Sequence, residues 1–144
     1  MTQTLPPPRL PLAFLPTPLH PLPRLTERLA LPGVRLWIKR DDQTGLAGGG
    51  NKTRKLEYLL ADALAQDADV ILTTGAVQSN HCRQTAAAAA RLGLECRLVL
   101  GGEPPAQANG NLLLDGLLGA AFHWTDRANR QPFPLPATTA GAPV

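Results

Sequence analysis

The chain has 144 residues, enough for one ordinary domain with its own core. Its formal net charge of +3 comes from arginines and lysines interleaved with acids, and without a basic stripe no nucleic-acid footprint is expected. Two isolated cysteines, Cys82 and Cys96, suggest a reduced, cytoplasmic setting; no apolar h-region opens the chain and no apolar run is long enough to span a bilayer, so neither a signal peptide nor a membrane partner is expected.

Residues 5–23 are rich in proline. Such a segment is extended and is not expected to form regular ladders. Leu12, Phe14, Leu15, Leu19 and Leu22 are interspersed, which predicts an arm packed across the body of the protein. A short helix is expected from Pro23 to Ala30, then a turn at Pro32-Gly33. Val34 to Lys39 alternates apolar and polar residues, the period of a strand. Asp41 and Asp42 have no third ligand near them, so a metal site is not expected. Pairing with Arg40 or capping of backbone amides is the preferred reading.

Gly48-Gly49-Gly50-Asn51-Lys52 follows, and then a strongly helical run to about Ala65. The phosphate-loop pattern fails here, because Asn51 precedes Lys52 and Leu46 occupies the distal glycine position. The dinucleotide fingerprint does not fit residues 45–50 either. Glycines permit positive φ and close backbone approach, which sets Lys52 at the mouth of a helix. The partial positive charge at a helix N-terminus disfavours an ammonium group. An unprotonated amine is what Schiff-base chemistry needs, so Lys52 is the candidate nucleophile; the plainer alternative is a solvated lysine that merely starts a helix. Leu56, Leu59, Leu60, Ala63 and Leu64 fall at helical spacing and predict the buried face.

Asp69 to Thr74 reads as a buried strand ended by Gly75, and Ser79-Asn80 as the start of a second helix running to about Leu92. Gly93 suits a C-cap. A strand from Glu95 to Leu100, a helix from about Ala108 to Leu118 and a strand from Ala120 to Trp124 complete the alternation. Alternating strands and helices imply parallel βαβ units with helix N-termini at the carboxyl edge of the sheet, where ligands bind. After about Asn129 no periodicity is left, and an irregular tail is expected.

Gln78-Ser79-Asn80-His81 sits where a strand hands over to a helix. One N-cap accounts for Ser79 or Asn80 alone. Four polar side chains in a row exceed that need, and free amides at a helix start suit a carboxylate or phosphate. Asn80 is the candidate for a ring hydroxyl, and Ser79 for a substrate carboxylate or a proton relay. His81 either touches ligand or hydrogen-bonds within the fold, and Cys82 is expected to pack among the small alanines. An amine at one helix start and anion-binding groups at the next suggest pyridoxal phosphate chemistry.

These residues carry a family resemblance. Pro16-Thr17-Pro18-Leu19, Leu36 to Asp42, Gly49 to Glu57, Thr74-Gly75-Ala76 and Gln78 to Ala86 resemble the D-cysteine desulfhydrase and 1-aminocyclopropane-1-carboxylate deaminase family, over about Pro11 to Arg127. The resemblance implies an α/β tryptophan synthase β-like fold, a parallel sheet with helices on its faces, of which only the N-terminal part is present. Residues 1–48 would belong to the larger domain, 49–128 to the small domain with the cofactor lysine, and 129–144 to the tail. It also implies that Lys52 forms the Schiff base and moves the substrate proton, that Asn80 binds the cofactor's ring hydroxyl, and that Ser79 contacts the substrate carboxylate. Asn51 and Gln78 would help shape the site. The implied reaction is elimination from D-cysteine to pyruvate, sulfide and ammonia. The alternatives are opening of the cyclopropane amino acid and an inactive fragment that only binds a partner. Family members form homo-oligomers, and their phosphate-binding loop lies beyond this chain, so little turnover is expected from it alone.

Overall fold

The structure, a computed structural model, describes residues 7–30 and 32–125; the expected tail at 129–144 lies outside them. Nine regular elements follow in order: β1 (Leu19–Pro21), α1 (Pro23–Leu29), β2 (Trp37–Lys39), α2 (Lys52–Ala65), β3 (Val70–Ala76), α3 (Asn80–Leu92), β4 (Glu95–Gly101), α4 (Gly110–Leu117) and β5 (Ala121–Thr125), with two 3-10 turns at 41–43 and 46–48. β3, β4 and β5 form a parallel sheet in that order.

The proline-rich arm corrects one expectation. Leu19 to Pro21 does form a ladder, antiparallel to β2, with Leu19 opposite Lys39 and Pro21 opposite Trp37. Proline is tolerated because it stands at the end of a short edge strand. The partner is only three residues long, so the strand expected over Val34–Lys39 contracts to Trp37–Lys39. The arm itself crosses the body as expected, and Leu12 is buried against Leu56, Leu60 and Ala88. Phe14 and Leu19 remain exposed.

Two further corrections concern α2 and β3. The buried face of α2 is Thr53, Leu56, Glu57, Leu60 and Ala61, while Leu59 and Leu64 stay exposed. The arm moves the stripe: Glu57 accepts hydrogen bonds from the backbone N–H of Leu12 (3.0 Å) and Ala13 (2.9 Å), so a carboxylate occupies a core position. β3 does not end at Gly75 but continues through Ala76, opposite Leu100 and Gly101 of β4. A Cβ on Gly75 would lie 2.7 Å from Cys82 Sγ and 2.8 Å from Ser79 Oγ. The glycine therefore marks close approach of the strand to α3 and not a chain break.

α3 is the centre of the packing. It lies against β3 and β4 and touches both α2 and α4. Ala86 to Ala89 are all buried, because four small side chains in a row let neighbouring elements approach on several faces. One core joins Cys82, Ala86 and Ala89 to Leu98, Leu100 and Leu112, and a second joins Ala88 to α2 and the arm. Leu98 and Leu100 are fully buried, each contributing roughly 1.5–3 kcal/mol of transfer free energy.

Candidate active site

The Lys52 entrance is a left-handed turn. Ala47, Gly48, Gly49 and Gly50 have φ of 46°, 82°, 77° and 139°. Gly49 has no substitute, because its Cβ would stand 1.9 Å from the Asp42 carbonyl oxygen. Buried Thr44 closes the turn: its Oγ1 accepts from Gly50 N and donates to Gly50 O, both at 2.8 Å. Asn51 is exposed at the N-cap position, and its side chain makes no capping bond. Lys52, half-buried, is the first residue of α2. Asp41, expected to pair with Arg40 or cap the backbone, instead pairs with Arg54 in the first turn of α2, while Asp42 takes Arg40.

The second entrance is the start of α3. Ser79 is its N-cap, accepting from Cys82 N at 3.2 Å. Asn80 is exposed, and its Oδ1 accepts from Asn111 Nδ2 (3.0 Å) and Arg83 Nη2 (3.4 Å). His81 shares a hydrogen bond from Nε2 to Thr73 Oγ1 at 3.1 Å and a longer one from Nδ1 to Thr85 Oγ1 at 3.4 Å. Burial, then the positive charges of Lys55 and Lys52, hold its pKa below the ordinary value, so the ring is neutral at pH 7. Gln78 is committed to α4: its Oε1 accepts from Asn111 N at 2.8 Å and its Nε2 donates to Asn109 Oδ1 at 3.0 Å. That explains why α4 starts at Gly110 and not Ala108, since Asn109 is extended and caps nothing itself.

The two entrances are bound to each other. Gln84 is fully buried; its Oε1 accepts from Thr53 N and Thr53 Oγ1, both at 2.8 Å, and its Nε2 donates to Asn80 O at 3.0 Å. Arg83 donates to the carbonyls of Ala47 (2.5 Å) and Gly49 (3.0 Å). Lys52 and Ser79-Asn80 thereby occupy adjoining helix starts, as the sequence leads one to expect. Sequence reasoning assigned no role to Arg83 or Gln84. Their spacing of three and four residues from Asn80 was the signal, because such positions share a helix face.

Behind this face, Asp115 of α4 is fully buried, and neither carboxylate oxygen finds a hydrogen-bond partner among the described residues. Burial pushes its pKa up to about 6, opposed by the charge of Arg83. Cys82 and Cys96 are free and buried. Burial and the nearby Asp115 charge push the Cys96 thiol up to about 12, and burial raises Cys82, so both are packing residues.

The donor set has a chemical character. Lys52 Nζ forms no ion pair or hydrogen bond with another described residue, Asn80 Nδ2 meets no acceptor among them, and the Ser79 hydroxyl is shared with the Cys82 thiol. An amine, a carboxamide NH2 and a hydroxyl fit a carbonyl-bearing ring with an electron-rich oxygen. Among the described residues no three His, Cys, Asp or Glu side chains group to hold a metal ion, and no helix is long and apolar enough to cross a membrane.

Comparison with known proteins gives the family. The family described as pyridoxal-phosphate dependent enzyme matches residues 10–137. D-cysteine desulfhydrase of Salmonella paratyphi A is 51% identical over 124 residues, covering 83% of this chain and 37% of the relative. The protein of the same name from Klebsiella pneumoniae (strain 342) is 52% identical, with the same coverage. The crystal structure of an ACC deaminase homologue aligns with a TM-score of 0.74 at 47% identity, covering 83% of this chain and 35% of that one. The chain thus spans little more than a third of the length of the relatives it matches, corresponding to their N-terminal fold. It belongs to the pyridoxal-phosphate dependent enzyme family, whose cofactor is pyridoxal phosphate.

Proposed function

We propose that this chain carries the lysine-bearing part of an enzyme for deaminating elimination from a small amino acid. D-cysteine is the favoured substrate, yielding pyruvate, hydrogen sulfide and ammonia with uptake of one water. The observation that carries the reading is the bonding of the Lys52 turn to the Asn80 turn through Arg83 and Gln84; the identity to D-cysteine desulfhydrases supports the substrate.

When bound, pyridoxal phosphate supplies an aldehyde that takes up amines and a ring that withdraws electrons from an amino acid's α-carbon. Lys52 Nζ holds the group and then carries the proton lost from the substrate α-carbon. Asn80, with Oδ1 already engaged, turns Nδ2 to the ring oxygen. Ser79 accepts from Cys82 N and turns its O–H, shared with the Cys82 thiol, to the substrate carboxylate. His81, with both ring nitrogens engaged by Thr73 and Thr85, hydrogen-bonds within the fold and is not assigned to the substrate. Asn51 and Gln78 shape the site, Gln78 by fixing the start of α4. The phosphate group and substrate choice fall to the part of the relatives outside the match.

In the whole protein we assign residues 1–48 to a larger domain and 49–128 to a smaller one, in a cytoplasmic homo-oligomer. Ring opening of 1-aminocyclopropane-1-carboxylate, with Ser79 as candidate nucleophile, is the alternative that the likeness to the deaminase homologue supports. An inactive unit that only binds a partner is supported by the exposure of Leu117 (75%), Leu59 (54%) and Trp37 (52%).

Borohydride reduction of the full chain in the presence of pyridoxal phosphate, followed by peptide mass mapping, tests the reading. The expected result is one dominant adduct on Lys52, absent in Lys52→Ala. Adducts scattered over exposed lysines, or none, would remove the enzymatic reading and leave the binding one.

A further inference from the structure

Residues 47–50 all have positive φ, so their carbonyls leave every regular ladder and need donors from elsewhere. Thr44 meets it at Gly50 O, while Gln84 serves only the neighbouring backbone at Thr53 N and Asn80 O. Arg83 does more, because it also touches a side chain assigned to the ligand. Its Nη1 donates to Ala47 O at 2.5 Å, and its Nη2 is shared between Gly49 O (3.0 Å) and Asn80 Oδ1 (3.4 Å). A planar guanidinium can span these acceptors at once, whereas a lysine ammonium carries its donors on one nitrogen. Fit is close on the far side too: a Cβ on Gly48 would stand 3.0 Å from Arg83 Nη1. With Asn111 Nδ2 as its second donor, Asn80 Oδ1 uses both lone pairs, and the carboxamide has one orientation.

We propose that Arg83 is a positioning residue of the cofactor site, locking the turn that delivers Lys52 and fixing the Asn80 carboxamide with its NH2 toward the ligand. This rests on the reading that Lys52 and Asn80 meet the cofactor, but its first consequence is visible without cofactor.

The test uses the full chain and the variants Arg83→Met and Arg83→Lys. Amide hydrogen exchange is followed in peptides covering residues 44–53, β3 and β4. In Arg83→Met, exchange over 44–53 rises roughly tenfold or more while β3 and β4 stay within about twofold, because charge-assisted bonds are lost from one local unit; Arg83→Lys falls between. Unchanged exchange over 44–53, or an equal rise in the strands, overturns the proposal. In the second arm, borohydride trapping of pyridoxal phosphate in Arg83→Met gives a smaller Lys52 share and more adduct on Lys39 and Lys55, with partial recovery in Arg83→Lys. An unchanged Lys52 share overturns the site role. If the unsubstituted chain gives no Lys52 adduct, the cofactor reading fails, and the exchange arm alone still decides whether Arg83 locks the turn.

Discussion

The two helix entrances that meet at the candidate site are built in opposite ways. α3 caps itself: Ser79 is extended at φ −67°, ψ 120°, and its hydroxyl accepts from Cys82 N three residues on. α2 does not. Asn51 stands at the cap position with helical angles of −69° and −15° and no side-chain bond. The orphan N–H of Thr53 is met instead by Gln84, 31 residues along the chain. α4 is likewise served from afar, by Gln78. The Thr53 N–H at the start of the lysine-bearing helix is therefore satisfied only with α3 docked against it. The difference teaches that α3, the helix without the nucleophile, controls where the nucleophile stands.

The largest effect expected from breaking this asymmetry comes from Gln84→Met. It removes three hydrogen bonds at a fully buried position and leaves their backbone partners unpaired, at a cost of about 2–4 kcal/mol. Urea unfolding measures it; a loss no larger than that of Ser79→Ala would collapse the contrast between the entrances.

An intermediate effect is expected from acid. Asp41 accepts from Arg54 Nε at 2.7 Å and Nη2 at 2.6 Å, and from Thr17 Oγ1 at 2.8 Å. The Arg54 hydrogen bond, followed by the one from Thr17 and the charges of Arg54 and Lys39, pulls its pKa down to about 2 against the cost of desolvation. A depressed carboxylate stabilises the fold above its ordinary range, and the stabilisation fades as pH falls from about 5 toward 2, by about 1–2 kcal/mol after solvent screening. Neither helix has an acid in its own first turn, but Asp41 pairs with Arg54 of α2, so hydrogen exchange should report loosening of α2's start before α3's. Asp41→Asn should flatten that part of the pH–stability curve; an unaltered curve would assign the acid response to another group.

The smallest effect is Ser79→Ala, which removes one local cap and should cost about 1 kcal/mol by denaturant midpoint. Because α3 is also buried through Ala86 to Ala89, the helix should persist in circular dichroism. A cost comparable to that of Gln84→Met would mean that α3 too depends on a bond it cannot replace.

Much of this was legible in the sequence because its causes are local. The Ser79 cap, the left-handed Gly93 at the end of α3 and the alternation that makes the parallel sheet all depend on neighbouring residues. The glycine turn before Lys52 and the polar run Gln78 to His81 are each local signals too, although their meeting is not. What was misread depends on distant chain. Glu57 stands outside the apolar stripe and is nevertheless buried, because backbone amides of the arm reach it from 44 and 45 residues away. Leu59 looked like core and is 54% exposed, because the described residues put nothing over it.

The sequence by itself determined the order of elements from α1 onward and the residues offering an amine, an amide and a hydroxyl, since propensity, capping and periodicity act over a few residues, and its motifs carried the family resemblance. Only the tertiary structure decided which side chains hold those groups in place. Beyond the spacing that puts Arg83 and Gln84 on the helix face of Asn80, nothing local marks them or Thr44 for that task. Their roles arise because positive-φ backbone at 47–50 and an uncapped helix at 52 leave donors and acceptors that must be satisfied where water is excluded. The partners that satisfy them come from whichever element packs there, and packing is settled by burial across the whole chain.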